Sequence, residues 1–109
     1  MPNKIERLNS VAGPFTATNS ASTSPKIPFG AAAGGIIVVD AVSSATTITW
    51  HVAFDAEVTP RPVNADGAGV TTTIAANQAY VLPDALFGAP YIVAVVNAGT
   101  ATFRISVKG

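Results

Sequence analysis

Thr46-Thr47-Ile48-Thr49-Trp50-His51-Val52-Ala53-Phe54 is the stretch whose reading decides the fold class. Its large apolar residues, Ile48, Trp50, Val52 and Phe54, fall on every second position, with Thr47, Thr49, His51 and Ala53 between them. A period of two sends alternate side chains to opposite faces of a strand. One face therefore carries two aromatic and two aliphatic side chains, including the only tryptophan. The stretch reads as the central strand of a β-sheet core.

Downstream, Asp55-Ala56-Glu57-Val58 leads to Pro60-Arg61-Pro62, whose prolines restrict it to an edge strand or loop. Asn64-Ala65-Asp66-Gly67 is a turn signal, because Asp-Gly accepts positive φ. Gly69 to Ala75 reads as a strand with Val70, Thr72 and Ile74 on one face, and Gln78 to Leu82 as a short strand containing Tyr80. Pro83-Asp84-Ala85-Leu86-Phe87-Gly88 reads as one helical turn, opened by proline and stopped by glycine. Asn97-Ala98-Gly99 is expected to close a hairpin into the last strand. There Ala101, Phe103, Ile105 and Val107 alternate inward against Thr102, Arg104, Ser106 and Lys108. Upstream, Val42-Ser43-Ser44-Ala45 is a small-residue turn after Ile36 to Val39. About six to eight strands with turn signals every 8–12 residues, and no amphipathic helix, point to an all-β fold. The expected architecture is an antiparallel β-sandwich, jelly-roll-like, with an extended N-terminal arm.

Residues 1–30 form that arm, and 31–109 the sandwich domain. Pro2, Pro14, Pro25 and Pro28 punctuate the first stretch, and Thr16 to Ser24 is nearly all Thr, Ala, Asn and Ser. Such a composition does not by itself bury enough apolar area to offset its ordering entropy. Phe15, Ile27 and Phe29 are its scattered anchor points; the arm is expected either to reach onto a neighbouring subunit or to be a frayed terminus. Removing residues 1–29 is expected to leave the sandwich folded.

The 109 residues suffice for one domain, and the absence of cysteine excludes thiol chemistry and cysteine zinc sites. Six basic and six acidic residues cancel, and only 11% of residues are charged. Electrostatic capture of nucleic acid or of an anionic membrane is not expected from so weak a field. The longest apolar run, Ala31 to Val39, is far short of the ~20 residues that span a bilayer. No secretory signal is evident, so the chain is expected to be made and kept without cleavage. Yet 49% of residues are hydrophobic, as in a protein partly covered by other subunits. Ile36-Ile37-Val38-Val39 and Tyr91-Ile92-Val93-Ala94-Val95-Val96 break the alternation, which implies burial on both faces. The second face needs a subunit contact or the arm. The candidate interface is therefore Phe15, Ile27, Phe29, Ile36, Ile37, Val38, Val39, Tyr91, Ile92, Val93 and Val95.

No catalytic constellation stands out, and the chain reads as a non-enzyme without cofactor or metal. His51 is the only histidine. Ser43 or Ser44 with His51 and Asp55 spells a triad on paper, without a nucleophile turn around the serines. His51, Asp55 and Glu57 share a polar face that a solvated strand explains as well as a cation site does. Asn64 and Asp66 resemble the start of a calcium loop whose other ligands are missing. Gly34-Gly35 runs straight into a strand, not into a phosphate-binding helix. Asp40, Asp55, Glu57, Asp66 and Asp84 form no marked acid pair. For stacking on sugars, Trp50 is the natural platform but sits in the core row; Tyr80 and Tyr91 remain candidates, with core or subunit contact as the alternative.

The segment from Ile48 through Lys108 resembles small β-rich proteins of tailed-bacteriophage particles, the head decoration or cement class. The resemblance lies in "ITWHVAFD", the "NADG" turn, "AYVLPDALFGAPYI" and the terminal "VKG". It implies a structural virion protein made in the host cytoplasm and sited on the capsid exterior, often as a trimer. Such a homo-oligomer bridges major capsid protein subunits and stabilises the shell, using an extended N-terminal segment, with no small-molecule substrate. The rival expectation is a carbohydrate- or receptor-binding β-sandwich module of a phage tail or cell surface.

Overall fold

The structure, a computed structural model, describes residues 10–30, 34–55 and 59–108. Eleven strands follow in order: β1 (Ser10–Ala17), β2 (Ile27–Pro28), β3 (Gly34–Ser43), β4 (Thr47–Ala53), β5 (Arg61–Pro62), β6 (Asn64–Ala65), β7 (Ala68–Gly69), β8 (Thr71–Thr73), β9 (Gln78–Val81), β10 (Tyr91–Val96) and β11 (Thr100–Lys108). The described residues form three sheets: one has the order β1-β11-β3-β9, a second has β2-β10-β4-β5 with β8 also on β4, and β6 and β7 make a two-stranded third. Every strand pair is antiparallel. The chain is all-β, with antiparallel sheets.

The pairing is nested. β6 pairs with β7, β4 with β5 and β8, β3 with β9, β2 with β10, and β1 with β11. Apart from β5, which folds back onto β4 before the tip, the chain is thus one long hairpin whose two arms pair strand by strand, rolled so that β11 also meets β3 and β10 meets β4. Its tip is the Asp66-Gly67 turn, where φ is 52° and 81°. Two successive positive φ angles match the twist of the flanking strands, and glycine takes its own without cost. The ribbon behind the tip is fastened to Trp50. Its N–H donates to Val70 O at 3.0 Å, and its carbonyl accepts from Val63 N at 3.0 Å.

Trp50 is fully buried, and its Nε1 donates to Thr72 Oγ1 at 2.9 Å. Bonding the one polar atom lets the ring sit in the core without a desolvation penalty. Around it, Ile37, Val39, Phe103 and Ile105 of one sheet meet Ile48, Ile92, Ala94 and Val96 of the other. Ile48, Trp50 and Val52 face this core as their spacing predicts. Phe54 does not: it is 80% exposed. β4 ends at Ala53, opposite Tyr91, and past the last ladder pair no neighbour holds the pleat that gives a period of two its meaning.

The expected hairpin at Asn97–Gly99 is also corrected, because β10 and β11 belong to different sheets. The turn crosses between sheets beside the crossing from β3 to β4. Asn97 Oδ1 accepts from the N–H groups of Thr46 and Thr47 at 2.9 and 3.1 Å, and its Nδ2 donates to Thr46 Oγ1 at 2.9 Å. A Cβ on Gly99, where φ is 61°, would lie 1.8 Å from Ser43 O. Asn-Ala-Gly encodes a reversal but not its partner. The turn at 83–88 forms as expected, with a single 3₁₀ turn over Asp84–Leu86 that buries Leu86.

Residues 10–30 are not a free arm. β1 forms an edge of its sheet along β11, where Phe15 lies 5.7 Å from Phe103 between ring centroids. Ile27 and Phe29 are buried in the core, and Phe29 stacks on Phe87 at 5.2 Å. Between them the hydroxyls bond the turn locally: Ser24 Oγ accepts from Thr18 N and donates to Ser20 O, both at 3.0 Å. Side-chain hydroxyls that satisfy backbone groups order a segment that apolar burial alone does not. No boundary separates residues 10–30 from the rest, and cutting them off would remove β1, β2 and part of the core. Residues 1–9 of the expected arm lie outside the described residues.

Candidate functional site

The two continuous apolar runs have different surroundings. In β10, Ile92, Ala94 and Val96 point into the core, and Val93 points to the opposite face of the sheet. Val93 is nevertheless 0% exposed, and Ala53 on the same outer face is buried as well. The chain by itself covers this second face there. In β3, Ile37 and Val39 are core, but Ile36 is 40% exposed.

Several expected interface residues are therefore corrected. Ile27, Phe29, Ile37, Val39, Ile92 and Val93 are buried within a single chain and offer no surface to a partner. For Ile27, Phe29, Ile37, Val39 and Ile92 the reason is that the two larger sheets supply both layers of the core from one chain. Phe15 is half-buried and packs on the core; Val38, Tyr91 and Val95 are half-buried on outer faces. Ile36 is left as the open residue of that set.

It is not isolated. Ladder register places Ile36 between Ser106 of β11 and Val81 of β9, and Val38 between Arg104 and Ala79. Val81 is 76% exposed. The outer face of β11, β3 and β9 thus presents an aliphatic strip of Ile36, Val38, Ala79 and Val81. Val81 is not in the expected interface set, although its place between Tyr80 and Leu82 in an alternating strand turns it to the outer face.

Beside the strip, Asp40 and Arg104 form a two-pronged ion pair, Nε to Oδ2 at 3.0 Å and a terminal guanidinium nitrogen to Oδ1 at 2.8 Å. A bulge creates the position: Phe103 is opposite Val39 and Thr102 opposite Ala41, so Asp40 is the extra residue. A second bulge, Gly13-Pro14 of β1, lies opposite Arg104 from the other side. Arg104 holds the Asp40 carboxyl below the usual carboxylate range, by hydrogen bonding first and by charge next. The strip is therefore flanked by a mutually neutralised pair.

The other candidates do not assemble. Ser43 and Ser44 precede β4 and Asp55 follows it, and Thr47 to His51 alone spans roughly 13 Å at strand rise. His51 Nδ1 lies 3.3 Å from Thr49 O. Among the described residues no three His, Asp or Glu side chains group around a possible metal; Glu57 lies outside them. Asn64 and Asp66 belong to the exposed hairpin tip. Gly34-Gly35 begins β3, and a Cβ on Gly35 would lie 2.6 Å from Ser106 O, so strand packing requires that glycine. Of the proposed sugar platforms, Trp50 is sealed in the core, and Tyr80 is half-buried with its hydroxyl accepting from Ala75 N at 2.8 Å. No helix among the described residues is long and apolar enough to cross a membrane. No protein-family model, no curated protein and no solved structure matches this chain.

Proposed function

We propose that this chain is a structural protein of a virus particle, a jelly-roll β-sandwich that attaches to a lattice of major capsid protein. The nested pairing, with β1 to β4 and β8 to β11 alternating between the two larger sheets, supports the jelly-roll reading; that winding serves viral capsid and lectin domains alike. Because one fold hosts many functions, the architecture does not choose between them. The observation that carries the role is the strip on which Ile36 and Val81 lie open side by side. Burying such a strip yields about 25 cal/mol per Å². A single contact of that size is weak, but repetition over a lattice makes attachment durable. The sealing of Trp50 in the core weighs against the sugar-binding rival, since its main stacking platform faces no solvent.

The test uses purified particles from the host in which the chain is made. Gold-labelled antibody to the chain should decorate intact particles, and the double variant Ile36→Asp, Val81→Asp should cut particle-bound protein at least tenfold without lowering its thermal midpoint. Particles that lack the chain, or that hold the double variant as tightly, would sink the proposal.

A further inference from the structure

We infer that β9 is a docking edge for a second copy of this chain, the two β9 strands pairing antiparallel across a two-fold axis at Tyr80. This inference is independent of the virion reading, since it rests on the valency of one strand.

Exposed sheet edges are normally blunted by proline, charge or a bulge, because their free N–H and C=O groups template further pairing. The other edges here follow that rule. β1 carries the Gly13-Pro14 bulge, β2 carries Pro28, and β5 is Arg61-Pro62. β8 is only three residues long. β9 reads Gln-Ala-Tyr-Val, with no charge, proline or bulge.

Its free groups can be identified. Leu82 N donates to Gly35 O at 3.1 Å, so residues 82 and 80 turn their main-chain groups toward β3. Bonding in an antiparallel ladder alternates, so Ala79 and Val81 turn theirs to the free edge. Among the described residues those groups have no partner.

Two such edges are self-complementary. With the axis at Tyr80, Ala79 N–H donates to Val81 O of the second copy, whose Val81 N–H donates to Ala79 O. The symmetric pair repeats this, so all the edge groups of both copies are used. An isologous contact closes after two copies. The side chains agree with this register. The row Ile36–Val81 continues into the second copy's Ala79–Val38, and Val38–Ala79 continues into its Val81–Ile36. Two unbroken aliphatic rows then run across the joined sheets, and no like charges meet, because β9 has none. A four-residue edge falls well short of the ~800 Å² per partner of a standard interface, so the dimer is weak and concentration-dependent.

The test is sedimentation velocity of the full chain from about 10 μM to 1 mM, the range suited to a contact below standard size. Wild-type protein should shift from monomer toward dimer mass. Ala79→Pro, which removes an outward N–H, and Val81→Lys, which charges the edge, should each weaken association at least tenfold with an unchanged circular dichroism spectrum. Pro28→Lys, on another edge, should leave association unchanged. Hydrogen exchange supplies a second readout: the amides of Ala79 and Val81 should gain protection with concentration while that of Tyr80 does not. Monomer mass throughout, a trimer, or dimers indifferent to both β9 variants would overturn the inference. Ala79→Pro keeps Ile36 and Val81, so loss of pairing and loss of particle attachment are separable.

Discussion

β3 and β10 start from nearly the same text, an aliphatic run without alternation, and finish in different surroundings. β10 lies between β2 and β4, and its outward Val93 is as buried as its core residues. β3 lies between β11 and β9, with Ile36 in the open beside Val81. An unbroken apolar run therefore shows that both faces tolerate burial, not that both are buried in one chain. The covered face contributes to stability and the open one is available for contact, so substitutions should separate them.

The largest expected effect is at Val93. Val93→Asp places a carboxylate on a face that is closed, and the loss of about 4 kcal/mol or more should appear as failure to fold or a collapsed denaturant midpoint. An unchanged midpoint would mean that the outer face of β10 is open after all. Gly99→Ala comes next. A methyl group 1.8 Å from Ser43 O, at φ 61°, forces the two sheet crossings apart. A cost of about 2 kcal/mol, read by urea unfolding, is expected from the positive φ together with the clash. Ile36→Asp, at the open counterpart of Val93, should stay within about 0.5 kcal/mol of wild type. A contrast of that size between two like-for-like substitutions is the sharpest test of the comparison.

The smallest effect is acid sensitivity at the border of the open face. The folded-state pKa of Asp40 lies below its ordinary value of 3.8, so its contribution is fully present above that value. It is lost as pH falls through the depressed folded value. Arg104→Met should flatten this slope of stability against pH below about pH 4 and leave neutral stability little changed, since exposed pairs are screened by solvent. An acid unfolding curve identical in both proteins would remove the pair from the stability of the β3–β11 ladder.

Much of the fold is legible locally. The faces of Ile48, Trp50 and Val52, the alternation of Ala101, Phe103, Ile105 and Val107, the Asp66-Gly67 turn and the turn at 83–88 all follow from spacing and from residues with special φ preferences. The candidate site is less legible. Of the eleven residues expected at an interface Ile36 lies in the open, and so does Val81, which is not among them. Six were misplaced because apolarity marks a core residue and a contact residue alike. The Ser- and Thr-rich stretch before β2 has the composition of an arm because its order comes from hydroxyl bonds, such as Ser24 to Thr18 and Ser20, that leave no periodicity.

Local sequence sets which side chains share a strand face, where the chain reverses, and that the chain carries no thiol and no net formal charge. Those properties depend on covalent geometry and on neighbours a few residues away. Tertiary structure alone decided that β10 and β11 part into different sheets, that β1 closes against β11, and that the second face of β10 is covered while that of β3 is not. Pairings such as Ala17 with Ala101 join positions far apart in the chain, and a strand's own sequence does not specify which edge it will meet.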